Sequence, residues 1–585
     1  MQQLSAQDTL FLNLETPKTP MHVGGLYVFG PPAHGRGFNF EEFKAFMDQR
    51  LHTSRVFRQR LVQVPLDLSR PYWIEDPDFE LERHLLHVSL PAPGGLPELL
   101  DLASQLYSKP LDLKCPLWEL VVIEGLNNFP QLPDGAYAML AKVHHAAIDG
   151  GSGAEIMAAI FDFSEEPRKV DPPKKEWKPE AVPTGAEVVV RSYLNTIGTP
   201  KKLFKFATET LGELAQVGAE VVSKALDPPP MLFTAPKTLF NVPVTANKVF
   251  GGTSVSLQRI KDIKNQVAGT TVNDVILSIC GGAIRKYLDS KGKLPKKSLI
   301  TMAPVSVRAD QDKGGMGNKV SAMLVALGTD IADPVERLKA VHKSARSSKT
   351  YSRALKADKI MEFIPSELFS LASRMYIKMR MSEKHNPFYN TIITNVPGPP
   401  MPLFMNGSRM LAHYGMGVLY DGMGLMIVIF SYAGQVTICA TSSKNIMPDM
   451  DYFGELMKET LDELEEYLVG KKLPNKGTAT TNKKVTPRQK VTPTTKPKTT
   501  AKKKPVAKQE ESAKKEVAKS TTRKPRSTAT TRKQTKASTT TKKETPTKTT
   551  TRRRSTTTRK TTAKKTEEKP NLEVDKPSDE ATDKS

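Results

Sequence analysis

Val143-His144-His145-Ala146-Ala147-Ile148-Asp149-Gly150 is the stretch on which the reading of this chain turns. Ahead of it, Ala136 to Val143 is rich in β-favouring apolar residues and nearly free of charge, which predicts a strand. Behind it, Gly150, Gly151 and Gly153 mark a tight turn. Ser152 and Glu155 then form a capping-box pattern, which starts a helix before Ile156-Met157-Ala158-Ala159-Ile160-Phe161. Two histidines, an acid and a glycine therefore sit on a strand-to-loop-to-helix transition. Strand alternation puts Tyr137, Met139, Ala141, Val143 and His145 on one face and Ala138, Leu140, Lys142 and His144 on the other. Only one ring then faces a given cavity, and alternation leaves open which. Imidazole titrates near neutrality and is the natural general base. Asp149 is placed to orient it, or to brace the loop against an arginine elsewhere. Diverging rings, with no third His or Cys at ligand spacing, argue against a metal site.

Charge divides the chain of 585 residues. Residues 471–585 hold 35 Lys and Arg against 11 Asp and Glu, and the first 470 residues balance at 51 of each. The net charge of +24 is thus a property of the tail. That tail lacks Phe, Trp, Tyr, Ile, Met and Cys, so it cannot bury enough apolar surface to offset ordering entropy and reads as disordered. Its composition fits attraction to an anionic membrane or lipid-droplet surface, or salt-sensitive, non-specific nucleic acid contact. The lack of aromatics for stacking and of a recognition helix argues against sequence-specific reading of nucleic acid. Cys115, Cys280 and Cys439 are widely separated, which fits a reducing compartment and no disulfide framework. The N-terminus shows no secretion signal. No apolar run reaches the roughly 18 residues of a membrane span, so a cytoplasmic, peripheral location is expected.

Along the chain, Ser5 and Asp8 predict a short helix through Leu12, and Met21 to Phe29 a strand. Phe40 to Leu51 and Leu96 to Tyr107 have helical spacing, and Leu120 to Ile123 reads as a strand after Pro116-Leu117-Trp118. Strands and helices alternate irregularly, which predicts an α/β (α+β mixed-sheet) fold. Residues 1–163 form the first expected domain. Residues 164–240 are a Pro-rich linker carrying an amphipathic segment, Lys201 to Leu226, either an interdomain helix or an interfacial membrane helix. Residues 241–470 form the second. There, Thr271-Val272-Asn273-Asp274 caps a helix with Val275, Ile276, Ile279, Ala283, Ile284 and Tyr287 on its apolar face, and Gly281 and Gly282 permit close packing. Leu299 to Val307, Val320 to Leu327, Asn390 to Thr394, Gly424 to Ser431 and Gln435 to Thr441 read as strands, and Asp449 opens a last helix that Gly470 stops.

Taken together, these motifs resemble the bacterial bifunctional wax ester synthase / diacylglycerol acyltransferases. The resemblance rests on His144-His145-Ala146-Ala147-Ile148-Asp149-Gly150, Pro116-Leu117-Trp118, Asn273-Asp274, Pro304-Val305-Ser306-Val307-Arg308 and Asn395-Val396-Pro397-Gly398-Pro399, in that family's order. Glu15-Thr16-Pro17, Met21-His22-Val23-Gly24-Gly25 and Gly317-Asn318-Lys319-Val320-Ser321 add to it. It implies a two-domain, chloramphenicol-acetyltransferase-like fold with the active site in an interdomain channel. It implies acyl-CoA as co-substrate, with no other cofactor, and diacylglycerol or a long-chain alcohol as acceptor. It also points to His145 as base and makes Asp149 a brace, with Arg308 as a candidate partner. Asn273 and Asp274 at a helix N-terminus are the candidate oxyanion and substrate-binding residues, and a plain helix cap is the alternative. Trp118 is a candidate lining of the acyl channel or a core aromatic. Gly150, in the motif turn, is a further candidate substrate-binding or oxyanion residue, and Pro397 and Gly398 are expected to turn at the channel mouth. Where the wider superfamily carries Asp-Phe-Gly-Trp-Gly, this chain has Tyr420-Asp421-Gly422-Met423-Gly424, and the tail lies outside the family pattern. The His-His motif alone is shared with amide-forming condensation domains, the alternative class, which would use carrier-bound substrates; the Pro-Leu-Trp and Asn-Asp motifs, and no carrier domain being expected from this sequence, count against it.

Overall fold

The computed structural model describes residues 1–65, 69–148, 152–173, 229–231, 233–306, 320–355 and 381–470, with a few single positions between. Asp149, Gly150, Arg308, the segment from Lys201 to Leu226 and the tail from residue 471 lie outside the described residues.

In chain order the elements are β1 (Gln2–Gln3), α1 (Ala6–Leu14), β2 (His22–Pro32), α2 (Phe40–Asp48), β3 (Gln59–Val62), β4 (Tyr72–Glu75), β5 (Leu85–Ser89), α3 (Leu96–Ser108), β6 (Trp118–Glu124), β7 (Tyr137–His144) and α4 (Ser152–Ile160). The second half adds β8 (Lys248–Ser256), α5 (Leu257–Gln266), α6 (Val272–Ser290), β9 (Ile300–Ser306), β10 (Val320–Ala326), α7 (Pro334–Leu355), β11 (Thr391–Pro397), β12 (Phe404–Met405), β13 (Ser408–Met416), β14 (Leu425–Tyr432), β15 (Gln435–Ser443) and α8 (Met450–Val469).

Two six-stranded sheets carry the fold. The first runs β12-β13-β2-β7-β6-β5 and the second β10-β9-β11-β14-β15-β8. Each is mixed. In the first only β5 and β6 are parallel, and in the second β11 is parallel to both β14 and β9. The expected mixed α/β architecture is the one observed. The sheets do not follow the division at residue 241, however. Strands β12 and β13 come from the second half of the chain yet pair onto β2 of the first sheet, with Tyr414 opposite Leu26 and Met416 opposite Gly24. The described residues up to Gly470 accordingly fall in one compact unit. The sequence hid β13 because the pairing that makes it a strand lies almost 400 positions away, and such long-range pairing leaves no local pattern. Strand β8 was missed for the same reason.

Core packing follows the predicted faces. Val275, Ile276, Ile279, Ala283, Ile284 and Tyr287 of α6 are all buried against α8 and the second sheet. Gly281 is required there, since a Cβ at that position would lie 2.3 Å from the Leu327 carbonyl oxygen. Two other expectations need correction. Helix α4 begins at Ser152 itself, one residue earlier than a Ser152 cap would place it. Pro397 ends strand β11 instead of entering a turn, and the Gly398 amide continues the ladder to the Ser431 carbonyl at 2.9 Å. Proline is tolerated at a strand end, where its missing N–H breaks no central ladder.

Candidate active site

Strand β7 lies in the middle of the first sheet and ends at His144. His145 opens a 3-10 turn, His145–Ala147. Strand alternation therefore includes His144 and stops before His145, whose ring is set by the turn instead of by pleat parity. His144 is completely buried. Its Nδ1 accepts the Ala146 N–H at 3.1 Å, and its Nε2 lies 3.0 Å from Glu15 Oε2. A backbone N–H can only donate, so the network assigns the His144 proton to Nε2, which donates to Glu15. Both nitrogens of His144 are engaged.

His145 is held differently. Its backbone N–H donates to the Met21 carbonyl at 2.8 Å. Its ring stacks on Phe11, with centroids 3.8 Å apart and an 11° angle between planes. Its Nδ1 is buried and has no hydrogen-bond partner among the described residues. Burial, helped by the neighbouring His144, pushes its pKa down to about 4. His145 is thus a neutral imidazole at pH 7, while His144 has no nitrogen to spare. A third histidine joins them: His22 on β2 sits opposite His144 in the pairing of β2 and β7. It donates from Nε2 to the Tyr107 carbonyl at 2.7 Å, and burial followed by the Lys142 charge pushes it to about 3.

The helix after the motif is anchored from below. Arg50 and Arg168 both pair with the buried Asp162, at 2.8 Å each, and both donate to carbonyls at the end of α4, Arg50 to Ala159 and Arg168 to Ala158. Guanidinium groups there satisfy orphan carbonyls and complement the helix dipole. A cavity of about 640 Å³ opens beside the turn, lined by Ala146, Ala147, Trp73, Arg55, His52 and Glu155.

The remaining motif residues fall elsewhere. Trp118 is buried in the core of the first sheet, donating from Nε1 to the Phe57 carbonyl at 2.9 Å and stacking on His84 at 4.6 Å. It is a core aromatic with its polar end satisfied. Asp274 is the third residue of α6 and is spent on structure. Its Oδ2 accepts from the Thr271 amide, the Thr271 hydroxyl and His342 Nδ1, at 2.8, 2.9 and 2.9 Å. Asn273, one residue earlier, is half-buried. Its Oδ1 accepts from Asn395 Nδ2 at 3.4 Å, so two motifs distant in sequence meet at the N-terminus of α6. Asp421 accepts the Val244 amide at 3.0 Å and ties down a loop. Among the described residues no cluster of His, Cys, Asp and Glu side chains could hold a metal ion.

Sequence reasoning assigned no role to Glu15, Phe11, His22 or Asn395. The available signal was the family motifs: Glu15, His22 and Asn395 each lie in one, whereas Phe11 carries none.

Two mixed sheets flanked by helices, interlocked through β13, with a His-His pair closing a central strand, define a fold of the chloramphenicol-acetyltransferase-like acyltransferase class. The family profile described as the wax ester synthase/diacylglycerol acyltransferase catalytic domain matches residues 4–276, and that of the WS/DGAT C-terminal domain matches residues 316–465. A putative diacylglycerol O-acyltransferase of Mycobacterium tuberculosis H37Rv is 34% identical over 483 residues, covering 79% of this chain and 99% of its own length. A probable diacylglycerol O-acyltransferase of the same strain is 31% identical, covering 80% and 99%. The solved wax ester synthase/diacylglycerol acyltransferase from Marinobacter aquaeolei VT8 is 27% identical, covers 80% of this chain and 100% of its own, and superposes with a TM-score of 0.56. The chain belongs to the wax ester synthase/diacylglycerol acyltransferase family and is an acyltransferase.

Proposed function

We propose that the protein transfers a fatty acyl group from acyl-CoA to the hydroxyl of diacylglycerol, giving triacylglycerol, or of a long-chain alcohol, giving a wax ester, with His145 as general base. The observation that carries this is the His145 imidazole, kept neutral by burial and stacked on Phe11 at the end of the central strand, while both nitrogens of its neighbour His144 are engaged. His145 removes the hydroxyl proton as the acceptor oxygen attacks the thioester carbonyl. The tetrahedral oxyanion then collapses, the C–S bond breaks, and the imidazolium proton goes to the departing CoA thiolate. Atoms balance as ester and CoA thiol, with no acyl-enzyme. A positioned base contributes about 10²–10⁴-fold. Asn273 is the proposed oxyanion donor. Asn395 occupies its Oδ1, so the donor end, Nδ2, is the end left for a ligand, at a helix terminus that favours negative charge.

The test compares His145→Ala and His144→Ala with radiolabelled palmitoyl-CoA and either dipalmitoylglycerol or hexadecanol. Full turnover by His145→Ala refutes the base assignment, and a trapped acylated side chain refutes direct transfer. Running hexadecanol against hexadecylamine separates ester from amide formation.

The protein is further proposed to work as a peripheral protein at an anionic membrane or lipid-droplet surface in the cytoplasm. The supporting feature is the tail, whose basic residues are concentrated after residue 470. No helix among the described residues is long and apolar enough to cross a membrane. Co-sedimentation with phosphatidylglycerol vesicles, against phosphatidylcholine vesicles and duplex DNA, tests the reading. Binding to DNA alone would replace the membrane with nucleic acid.

A further inference from the structure

We infer that the segment from Phe11 to His22 is a clamp that sets the working form of the double histidine, with Glu15 fixing the His144 tautomer and Phe11 the His145 ring. Four residues of this short stretch touch the pair. Phe11 stacks on the His145 ring, Glu15 accepts from His144 Nε2, the Met21 carbonyl accepts the His145 amide, and His22 lies opposite His144 in the sheet. The segment is itself fixed at several points. Ser5 caps α1 by accepting the Asp8 amide at 3.0 Å, Thr16 and Thr19 pair backbone to backbone, and the Lys18 carbonyl accepts Lys248 Nζ from the second half at 2.9 Å.

The physical content lies in the His144 proton. Two neighbours act on this fully buried ring in opposite senses. The Glu15 carboxylate requires a hydrogen on Nε2, and the Ala146 N–H requires a bare lone pair on Nδ1. Only one neutral tautomer satisfies both. The other tautomer would set an N–H against the Ala146 N–H and leave Nε2 facing the carboxylate without a hydrogen. It would also remove the side-chain cap of the 3-10 turn that begins with His145. Glu15 thereby acts on His145 through His144 and the turn. Glu15 and Phe11 are positioning residues, not catalytic ones. The effect on turnover rests on His145 being the base; the tautomer does not.

The experiment uses the full-length chain with palmitoyl-CoA and hexadecanol, and the variants Glu15→Ala, Glu15→Gln and Phe11→Ala. Misplacing a reacting group by about 1 Å costs about 10²-fold. Glu15→Ala is expected to lower kcat by about 10²-fold, with the KM for palmitoyl-CoA within about threefold of the parent. Glu15→Gln, whose amide oxygen accepts the same N–H, is expected to keep at least about a tenth of parental kcat. Phe11→Ala is expected to lower kcat with KM likewise held. Nitrogen-15 spectra of histidine-labelled protein read the clamp with no reference to turnover. Parental His144 should carry its hydrogen on Nε2, and Glu15→Ala should show the other tautomer or a mixture. An Nδ1–H form in the parent overturns the proposal. So does a Glu15→Ala kcat within about threefold of the parent, or equal loss in Glu15→Ala and Glu15→Gln, which would make the charge and not the acceptor essential. Should His145→Ala retain turnover, the base reading falls while the His144 spectrum still decides the clamp.

Discussion

Acidification should leave the proposed base working at a pH where an ordinary imidazole has failed. His145 is held at about 4 by burial and by the adjacent His144. At pH 5.5, an imidazole at the usual 6.5 is about one-eleventh neutral, whereas one at about 4 is about 97% neutral. The kcat/KM profile, which reports the free enzyme, should therefore stay flat from pH 7 to 5.5. The competing effect is stability. His22, His145 and His413 are pushed to about 3, 4 and 3, so between those values and 6.5 the unfolded chain binds more protons than the folded one. The stability they contribute is complete above about 6.5 and falls as pH drops through that window. At pH 5.5 each costs about 1.4 kcal/mol, and the three about 4 kcal/mol. That is survivable against a typical stability of about 5–15 kcal/mol. Kinetics with palmitoyl-CoA and hexadecanol, read beside far-ultraviolet circular dichroism in the same buffers, checks both terms. An acid limb with its midpoint near 6.5 and an unchanged dichroism signal would refute the assignment of His145 as a desolvated base.

Asn273→Ala should lower kcat by about 10²–10³-fold while sparing acyl-CoA KM, if its amide stabilises the oxyanion; steady-state kinetics reads this. Asp162→Ala strands Arg50, itself 2% exposed, and should cost about 3–5 kcal/mol in urea unfolding. Gly24→Ala puts a Cβ 2.1 Å from the Ala141 carbonyl oxygen, between β2 and β7. It should destabilise by about 3 kcal/mol or more, read as a lowered Tm. Removing residues 471–585 should leave detergent-assayed turnover within about twofold and abolish salt-sensitive pelleting with phosphatidylglycerol vesicles. Loss of turnover would place the tail in the catalytic unit.

Much of the fold was legible because its signals are local. The α6 face from Val275 to Tyr287, the Thr271 cap, the Gly470 stop and the strand into His144 each follow from the side chains within one or two turns of the chain. The capping network of Asp274 was legible for the same reason, although its His342 partner was not. Trp118 was ambiguous because an aromatic beside a strand serves core and channel equally in one dimension. Its bond to the Phe57 carbonyl shows which environment it occupies.

The sequence by itself determined the composition boundary at residue 470, the element types, the family motifs and the presence of two adjacent histidines. Only the tertiary structure decided how those histidines differ. A ring's protonation is set by what lies within hydrogen-bond reach, and for His144 that is Glu15, 129 positions earlier. For His145 it is the apolar ring of Phe11 and the burial that keeps the imidazole neutral. The same holds for β13, which is a strand of the first sheet because β2 offers it a partner edge. Neither partnership has a local trace, because each joins chain segments far apart in the sequence.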